Sequence, residues 1–285
     1  MGYAERSSTI ENGANGMRVA TWNLWWRFGQ WEERSRVIQS ALADAKFDVC
    51  ALQEVWHTPD ENFAETLASQ LGYEFAFAPS PNPGKWQRKI NDDQIGIGNA
   101  VLSRWPILTT ETVRLPDGDA DDEGRISLHT RIDTPNGTLP FTSTQLNSGW
   151  GQSTIRTQQL RTVGSHIREN MSGDLPPVLC GDFNATPDFD EVRSLSGKRD
   201  SLVPDLVLFD AWEFTQPDDP GYTWDQRNPH VEATHEPSAR IDYIFVGMAS
   251  GAGRCKPKSS HLFGDSPIDG VWPSDHFGVY ADLHD

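Results

Sequence analysis

Positive charge is scarce in this sequence. The 285 residues include 24 lysines and arginines against 41 aspartates and glutamates, which gives a formal net charge of −17. A protein that tracks DNA nonspecifically normally presents a basic face, because the phosphate backbone repels an acidic surface. The charge balance therefore argues against duplex DNA as the main partner.

Long hydrophobic runs and cysteines are also few. No apolar run approaches the roughly 20 residues of a membrane helix, so we predict no membrane span. Residues 1–16 are polar, lack the apolar centre of a secretory signal and are interpreted as a disordered leader before a single domain, residues 17–285. Cys50, Cys180 and Cys255 cannot all pair, and this favours a cytoplasmic location.

Hydrophobic periodicity predicts strands that alternate with amphipathic helices. Residues 18–24 and 47–53 are typical of strands, and residues 31–46 of a helix between them. Thr58-Pro59-Asp60-Glu61 combines a capping threonine, an early proline and a glutamate, and predicts the start of a helix that Gly72 ends.

The second half continues this alternation. Pro135-Asn136-Gly137 predicts a hairpin turn between two strands. The other predicted elements are strands at 100–103, 126–133, 139–146 and 178–180, helices at 153–170 and from Thr186-Pro187, and long loops at 79–99, 116–124 and 216–238.

Five short polar segments stand at or near the ends of hydrophobic runs. In Gly181-Asp182-Phe183-Asn184 a carboxylate and an amide leave one strand edge two residues apart, although such residues alone also make ordinary turns. The other four segments are Thr21-Trp22-Asn23-Leu24-Trp25, Leu52-Gln53-Glu54-Val55, Arg240-Ile241-Asp242-Tyr243-Ile244-Phe245 and Ser274-Asp275-His276-Phe277.

In this order and spacing, the five segments resemble the endonuclease/exonuclease/phosphatase superfamily of metal-dependent phosphoesterases, over residues 17–283. The resemblance implies an α/β fold of the DNase I-like type: a four-layer sandwich of two facing mixed β-sheets flanked by helices. It also implies hydrolysis of phosphoester bonds with Mg²⁺ as cofactor and Mn²⁺ as the alternative.

The resemblance assigns the metal to three residues. Glu54 is the implied principal ligand, with Asn23 beside it and Asp275 as a further ligand, direct or through water. Mg²⁺ suits this set because it is a hard cation that takes oxygen ligands. Any one of the three residues could instead be a solvent-facing strand end.

Four more residues match the catalytic positions of the family. Asp182 is expected to orient or deprotonate the attacking water, and Asn184 to bind a phosphate oxygen. His276 is expected to donate a proton to that oxygen, which requires an anionic neighbour because its ordinary pKa is near about 6.5. Asp242 matches the carboxylate that orients this imidazole.

Gln145 departs from the family pattern, since most members have histidine there. Glutamine donates a hydrogen bond but carries no titratable proton. Either the leaving group needs no protonation, or another residue supplies the proton, or the change inactivates the protein and leaves a ligand-binding protein. We favour an active enzyme in which Gln145 has a hydrogen-bonding role.

The remaining polar groups give weaker signals. Arg125, Arg131 and Arg240 could bind a second phosphate, but pairing with the abundant carboxylates is preferred. The acidic segment 117–123 is interpreted as a solvated loop, because it lacks the spacing of a calcium loop. With the acidic balance, these features favour a small phosphorylated substrate or a short single-stranded nucleic acid over duplex DNA. They indicate no oligomeric state.

Overall fold

The structure, a computed structural model, describes residues 16–118, 122–170, 172–248 and 253–285. The predicted leader, residues 1–16, lies outside the described residues except for Gly16. The described strands are β1 (Met17–Asn23), β2 (Val49–His57), β3 (Glu74–Pro79), β4 (Gly96–Ser103), β5 (Ile107–Arg114), β6 (Ile126–Thr134), β7 (Gly137–Gln145), β8 (Val178–Asp182), β9 (Leu208–Asp210), β10 (Asp242–Gly247), β11 (Pro257–Phe263) and β12 (Gly278–Leu283). The described helices are α1 (Trp31–Ala45), α2 (Phe63–Leu71), α3 (Gly84–Ile90), α4 (Ser153–Glu169), α5 (Asp190–Leu195), α6 (Ala211–Thr215) and α7 (Pro229–Glu232).

The strands form two mixed sheets of six. The first sheet has the order β11-β12-β1-β2-β4-β3, and the second has the order β5-β6-β7-β8-β10-β9. Each sheet contains one parallel pair, β1–β2 in the first and β7–β8 in the second. Since a tight turn cannot join parallel strands, these connections cross over through α1 and α4.

Three hydrophobic clusters lie between the four layers of the fold. The inner faces of the two sheets pack against each other through side chains such as Val19, Val49 and Phe141. The outer face of the first sheet is covered by α1 and α2, and that of the second by α4 and α5. The predicted four-layer α/β sandwich is therefore confirmed.

Two predicted helix starts are wrong. Helix α2 begins at Phe63, where the Asn62 side chain accepts from the Ala64 backbone N–H at 2.9 Å, and Thr58 caps only a turn before it. Helix α5 begins at Asp190 rather than at Thr186. The reason is chemical, because a threonine hydroxyl accepts from nearby backbone N–H groups equally well in a turn.

The long loops are more structured than predicted. Segment 79–99 contains α3 and the start of β4, and segment 216–238 contains α7. The acidic segment 117–123 is not simply solvated: Glu123 is buried and pairs with Arg125 and Lys85, while residues 119–121 lie outside the described part of the chain.

None of the helices in the described residues combines the length and the apolar character of a membrane span. The three cysteines are free and buried. As preferred from the sequence, Arg125 and Arg240 pair with carboxylates, those of Glu123 and Asp210.

Candidate active site

The candidate site forms where the ends of central strands from both sheets meet. Asn23 ends β1, Gln145 ends β7 and Asp182 ends β8, while Asp242 begins β10. Because β7 runs parallel and β10 antiparallel to β8, Gln145 and Asp242 are both direct register partners of Asp182. The fold thus brings residues distant in sequence to one edge.

Glu54 reaches this edge through an irregularity in β2. The pairing of β2 with β4 shifts register between Leu52 and Val55, and Glu54 has a φ of 53° in the left-handed region. Glutamate adopts this conformation rarely, and such irregularities re-aim a side chain beside a site. The Glu54 side chain is buried, and its Oε1 accepts a hydrogen bond from Gln145 Nε2 at 2.8 Å.

Asp182 is the most heavily bonded carboxylate of the site. Its Oδ2 accepts from the amides of Asn23 at 3.0 Å, Gln145 at 3.1 Å and Asn184 at 3.2 Å. Its Oδ1 accepts from the backbone N–H of Asn184 at 3.0 Å. Burial raises the pKa of Asp182, although the charge of His276 opposes this rise. The carboxylate is therefore fixed in one orientation.

Gln145 and Asn184 both direct their amides to the protein itself. Gln145 Nε2 donates to Glu54 and to Asp182, and its role in catalysis stays a prediction. Asn184 Nδ2 donates to Asp182 and to the carbonyl of Leu146 at 3.0 Å. Its expected contact with a phosphate oxygen stays a prediction.

His276 and Asp242 form a buried pair. His276 Nδ1 lies 2.9 Å from Asp242 Oδ2, and its Nε2 lies 4.0 Å from Asp182 Oδ2. Burial lowers the His276 pKa, but the carboxylates of Asp242 and Asp182 outweigh burial and raise that pKa well above its ordinary value. These two carboxylates therefore favour the cationic form of the imidazole. Asp242 Oδ1 is buried and accepts no hydrogen bond from any residue that the structure describes.

These three side chains also have metal-ligand spacing. One ligand atom each from Asp182, Asp242 and His276 lies within 4.8 Å of the other two. The sequence assigned the same residues to water activation and proton handling. His276 Nδ1 is already hydrogen-bonded to Asp242, and this contact is the one that a proton-handling role of the pair requires.

Glu54 and Asp275 suit a divalent cation. Burial raises the pKa of Asp275 to about 7; the charge of His276 opposes this rise, whereas the Glu54 carboxylate adds to it. Among the described residues, only Ser274 Oγ donates to the Asp275 carboxylate, at 3.3 Å. Glu54 Oε2 receives no hydrogen bond from a described residue. Two buried carboxylates in this state are costly without a cation. With the Asn23 amide oxygen they offer the all-oxygen ligands that Mg²⁺ prefers.

Arg34 is a site-supporting residue that the sequence did not single out. All five of its N–H donors bind backbone carbonyls, and burial lowers its pKa to about 10. Four of the carbonyls belong to the segment that follows β1, and the fifth to Pro273, just before Asp275 and His276. An arginine in an amphipathic helix pattern usually indicates a solvated face, so periodicity carries no signal of this role.

Together the fold and the site define a DNase I-like α/β sandwich with an acidic, oxygen-rich centre between its sheets. The sequence model of the Endonuclease/Exonuclease/phosphatase family matches residues 20–276, and the chain belongs to this family. The matched range contains all eight predicted site residues.

Similar proteins agree with this assignment. Nocturnin of Rattus norvegicus is 24% identical over 264 residues, which are 89% of this chain and 59% of the relative, and nocturnin of Xenopus laevis is 24% identical, over 89% and 65%. The chain thus spans about three-fifths of these relatives. The structure of D. rerio TDP2 with a single-strand DNA product matches with a TM-score of 0.73 and 25% identity, over 93% of this chain and 97% of that one. The human nocturnin catalytic domain has a similar fold, with a TM-score of 0.70 at 20% identity, over 94% and 93%.

Trp86 and Trp150 lie on Gly- and Pro-containing segments, where a tryptophan can stack on a base, but they differ in exposure. Trp86 is buried in the core cluster of the first sheet, which contradicts a free stacking surface. Trp150 is 50% exposed on the segment after Gln145, so its stacking role stays a prediction.

Proposed function

We propose that this protein is a Mg²⁺-dependent hydrolase of phosphoester bonds, with residues 17–285 as one catalytic unit. The observation that carries the proposal is the convergence of two groups of side chains. Glu54 and Asp275 present carboxylate oxygens that form no ion pair with a described residue, and Gln145 links Glu54 directly to Asp182 beside His276. Hydrolysis of a phosphoester requires both charge neutralisation and an oriented water.

Glu54, Asp275 and Asn23 would hold Mg²⁺, or Mn²⁺, which accepts similar oxygen ligands. When bound, the ion supplies positive charge at the phosphate and makes water more acidic. The family membership and the donor set support this assignment.

The remaining groups can act on water and phosphate. Asp182 orients the attacking water and accepts its proton, which suits a buried carboxylate whose pKa is raised. The water oxygen forms the new bond to phosphorus as the ester oxygen departs. His276, held by Asp242, donates to a non-bridging oxygen as charge develops there.

The proposed substrate is a small phosphorylated molecule or a short single-stranded nucleic acid. The net charge of −17 disfavours a long duplex, and the single-strand DNA product bound to the similar D. rerio TDP2 supports the second alternative. A cytoplasmic location remains part of the proposal and is supported by the three free cysteines.

A second candidate function is ligand binding without turnover. Gln145 favours it, because this residue cannot transfer a proton. Against it, Gln145 is bonded to both carboxylates that the hydrolytic mechanism needs.

A phosphoester panel assayed with Mg²⁺, with Mn²⁺ and with a chelator separates the two functions. We expect turnover that needs the metal and is lost in Asp182→Ala, while Asp218→Ala, an exposed aspartate, retains it. Turnover that survives the chelator would contradict the proposal, and no turnover on any ester would favour ligand binding. Faster hydrolysis by Gln145→His would show that proton delivery limits the natural enzyme.

A direct titration tests the metal site independently of activity. We expect Mn²⁺ to bind the wild-type protein in calorimetry and to bind Glu54→Gln at least about tenfold more weakly, because a charged oxygen ligand is lost. Equal affinity in the two proteins would remove Glu54 from the ligand set.

A further inference from the structure

A second cationic group faces a cavity beside the candidate site. The cavity has about 250 Å³ of empty space, part of it open to solvent, and its lining includes Gln145, Asn99, Trp86 and Arg125. Gln145 thus lines the cavity and also donates to Glu54 and Asp182 of the candidate site. A group bound in this cavity would lie next to the reacting phosphate.

Arg125 keeps unused donors although it is buried. Its Nε and Nη2 donate to Glu123 Oε2 at 3.0 and 2.6 Å, and its side chain is 4% exposed. Its Nη1 donates to no described residue, and this atom is not fully enclosed by the protein. Arginine has five N–H donors in a fixed fork. One edge of the guanidinium therefore remains available to a ligand.

Glu123 is shared between Arg125 and other donors. It also accepts from Lys85 Nζ at 2.9 Å and from the backbone N–H of Ser148 at 3.2 Å. Burial raises the Glu123 pKa, but Arg125 and Lys85 outweigh it and lower that pKa to about 2, so the carboxylate stays ionised. The ionised Glu123 carboxylate therefore holds the guanidinium by its Nε and Nη2 edge.

The Trp86 ring packs against the Arg125 guanidinium and is not free to stack on a planar ligand. The Arg125 guanidinium carbon lies 5.2 Å from the centre of the Trp86 ring, and Lys89 Nζ lies 4.5 Å from it. A guanidinium over an aromatic ring is stabilised and held in orientation. Because Trp86 is buried in these contacts, the cavity offers a ligand an oriented donor edge and no free stacking face.

We propose that Arg125 forms a second anion subsite, which binds a phosphate of the substrate adjacent to the phosphate that is cleaved. The proposal rests on the proposed function for the position of the cleaved phosphate. Arginine suits this ligand because its planar fork matches two phosphate oxygens. The favoured substrate is consequently a nucleotide or short strand with a neighbouring phosphate.

The dinucleotide TpT and its 5′- and 3′-phosphorylated forms test the subsite. We expect one phosphorylated form to be hydrolysed with at least about tenfold higher kcat/KM than TpT, the effect of one or two charge-assisted hydrogen bonds. Arg125→Gln should bring this ratio close to one. Arg125→Lys should give an intermediate ratio, because it keeps the charge without the fork.

Arg131→Gln is the matched control, since Arg131 lines a different cavity together with His129 and His166. The ratio should be unchanged in it. The ratio compares substrates on one protein, so partial misfolding of a variant cancels. A wild-type ratio near one, or a high ratio that persists in Arg125→Gln, would overturn the subsite.

Binding of the same three dinucleotides, measured by calorimetry without metal, separates this proposal from the hydrolase proposal. Tighter binding of a phosphorylated form, lost in Arg125→Gln, supports the subsite even if no substrate is turned over; the absence of turnover would then count only against the hydrolase. Equal binding of all three forms by the wild-type protein would overturn the subsite whatever the turnover.

Discussion

At the scale of single residues, Gln145 explains how the site holds two carboxylates together. Its Nε2 carries two hydrogens and donates one to Glu54 and one to Asp182. A neutral histidine has one N–H and could serve only one of these acceptors from the same position. With glutamine at this position the site has no titratable proton there. In return, Gln145 fixes the distance between Glu54, the proposed metal ligand, and Asp182, the proposed base.

Removal of the Gln145 amide should slow hydrolysis without unfolding the protein. Each hydrogen bond to a charged group contributes about 1.5–3 kcal/mol, so Gln145→Ala is expected to lower kcat/KM about 10- to 100-fold. Gln145→Glu keeps the shape but adds a third carboxylate, and should lower it further. Steady-state kinetics check both variants, with exposed Gln158→Ala as the control. Unchanged kinetics in Gln145→Ala would show that the two bonds have no catalytic role.

The sequence predicted residue types at this site better than their contacts. Asn23, Asp182 and Asp242 could be placed because each stands at a strand end and belongs to a recognisable segment. The direction of an amide such as that of Asn184 depends on Leu146, the residue just after β7, and sequence spacing does not contain this information. The unused donors of Arg125 were missed for the same reason.

At the scale of secondary-structure elements, the position of Asp182 depends on how closely β8 approaches β7. Gly181 has a φ of 154°, and a Cβ atom there would lie 1.9 Å from the carbonyl oxygen of Thr144 in β7. Only glycine therefore allows the two parallel strands to pair through Asp182. The same pairing places Gln145 opposite Asp182.

Gly181→Ala should disturb both stability and the site. Forcing a methyl group against a backbone oxygen typically costs about 1–3 kcal/mol, or more where the backbone cannot shift. We expect a lower urea midpoint and a lower kcat. Gly151→Ala is the control, because nothing lies within 4 Å of a Cβ atom at that position. Equal midpoints for the two variants would mean that β8 moves away at little cost.

Helix α1 supports the site through Arg34. Arg34→Lys keeps the charge but offers three donors in place of five, and leaves at least two of the five carbonyls without this partner. We expect a loss of about 2 kcal/mol or more in the free energy of unfolding, measured in urea. Arg36→Lys, on the exposed side of the same helix, should be neutral. A neutral Arg34→Lys would show that water replaces the lost contacts.

The elements themselves were predicted unevenly, for physical reasons. Helices α1 and α4 are long and amphipathic, so their periodicity located them to within one residue at each end. The exposed strand β5 has no alternating apolar face and was missed, and α3 is too short to show a period. The false start at Thr58 came from a capping hydroxyl used in a turn.

At the scale of the whole molecule, buried titratable groups make stability depend on pH, and two of them, His129 and Glu123, destabilise the fold as the pH falls. Burial, with the charge of nearby His166, lowers the pKa of His129 to about 3, and its ring nitrogens lie within hydrogen-bond distance of Ser127 and Thr142. Glu123 contributes in the same direction: with its pKa lowered to about 2, its stabilisation is present above the ordinary value near 4.5 and is lost as pH falls toward 2.

The His129 contribution appears first as the solution is acidified. Below about pH 6.5 the unfolded chain binds a proton at this histidine, whereas the folded chain binds it only near pH 3. At this histidine the unfolded state therefore holds more protons in this window, and the His129 contribution to the free energy of unfolding falls by about 2 kcal/mol between pH 7 and pH 5. Asp275, with its pKa raised to about 7, contributes in the opposite direction, so the net change of the wild-type protein is not the readout. Urea unfolding of the wild-type protein and of His129→Gln at both pH values isolates the His129 contribution. On going from pH 7 to pH 5, His129→Gln should lose about 2 kcal/mol less than the wild-type protein, whereas exposed His261→Gln should change as the wild-type protein does. The same change in His129→Gln and in the wild-type protein would show that His129 does not bind the destabilising proton.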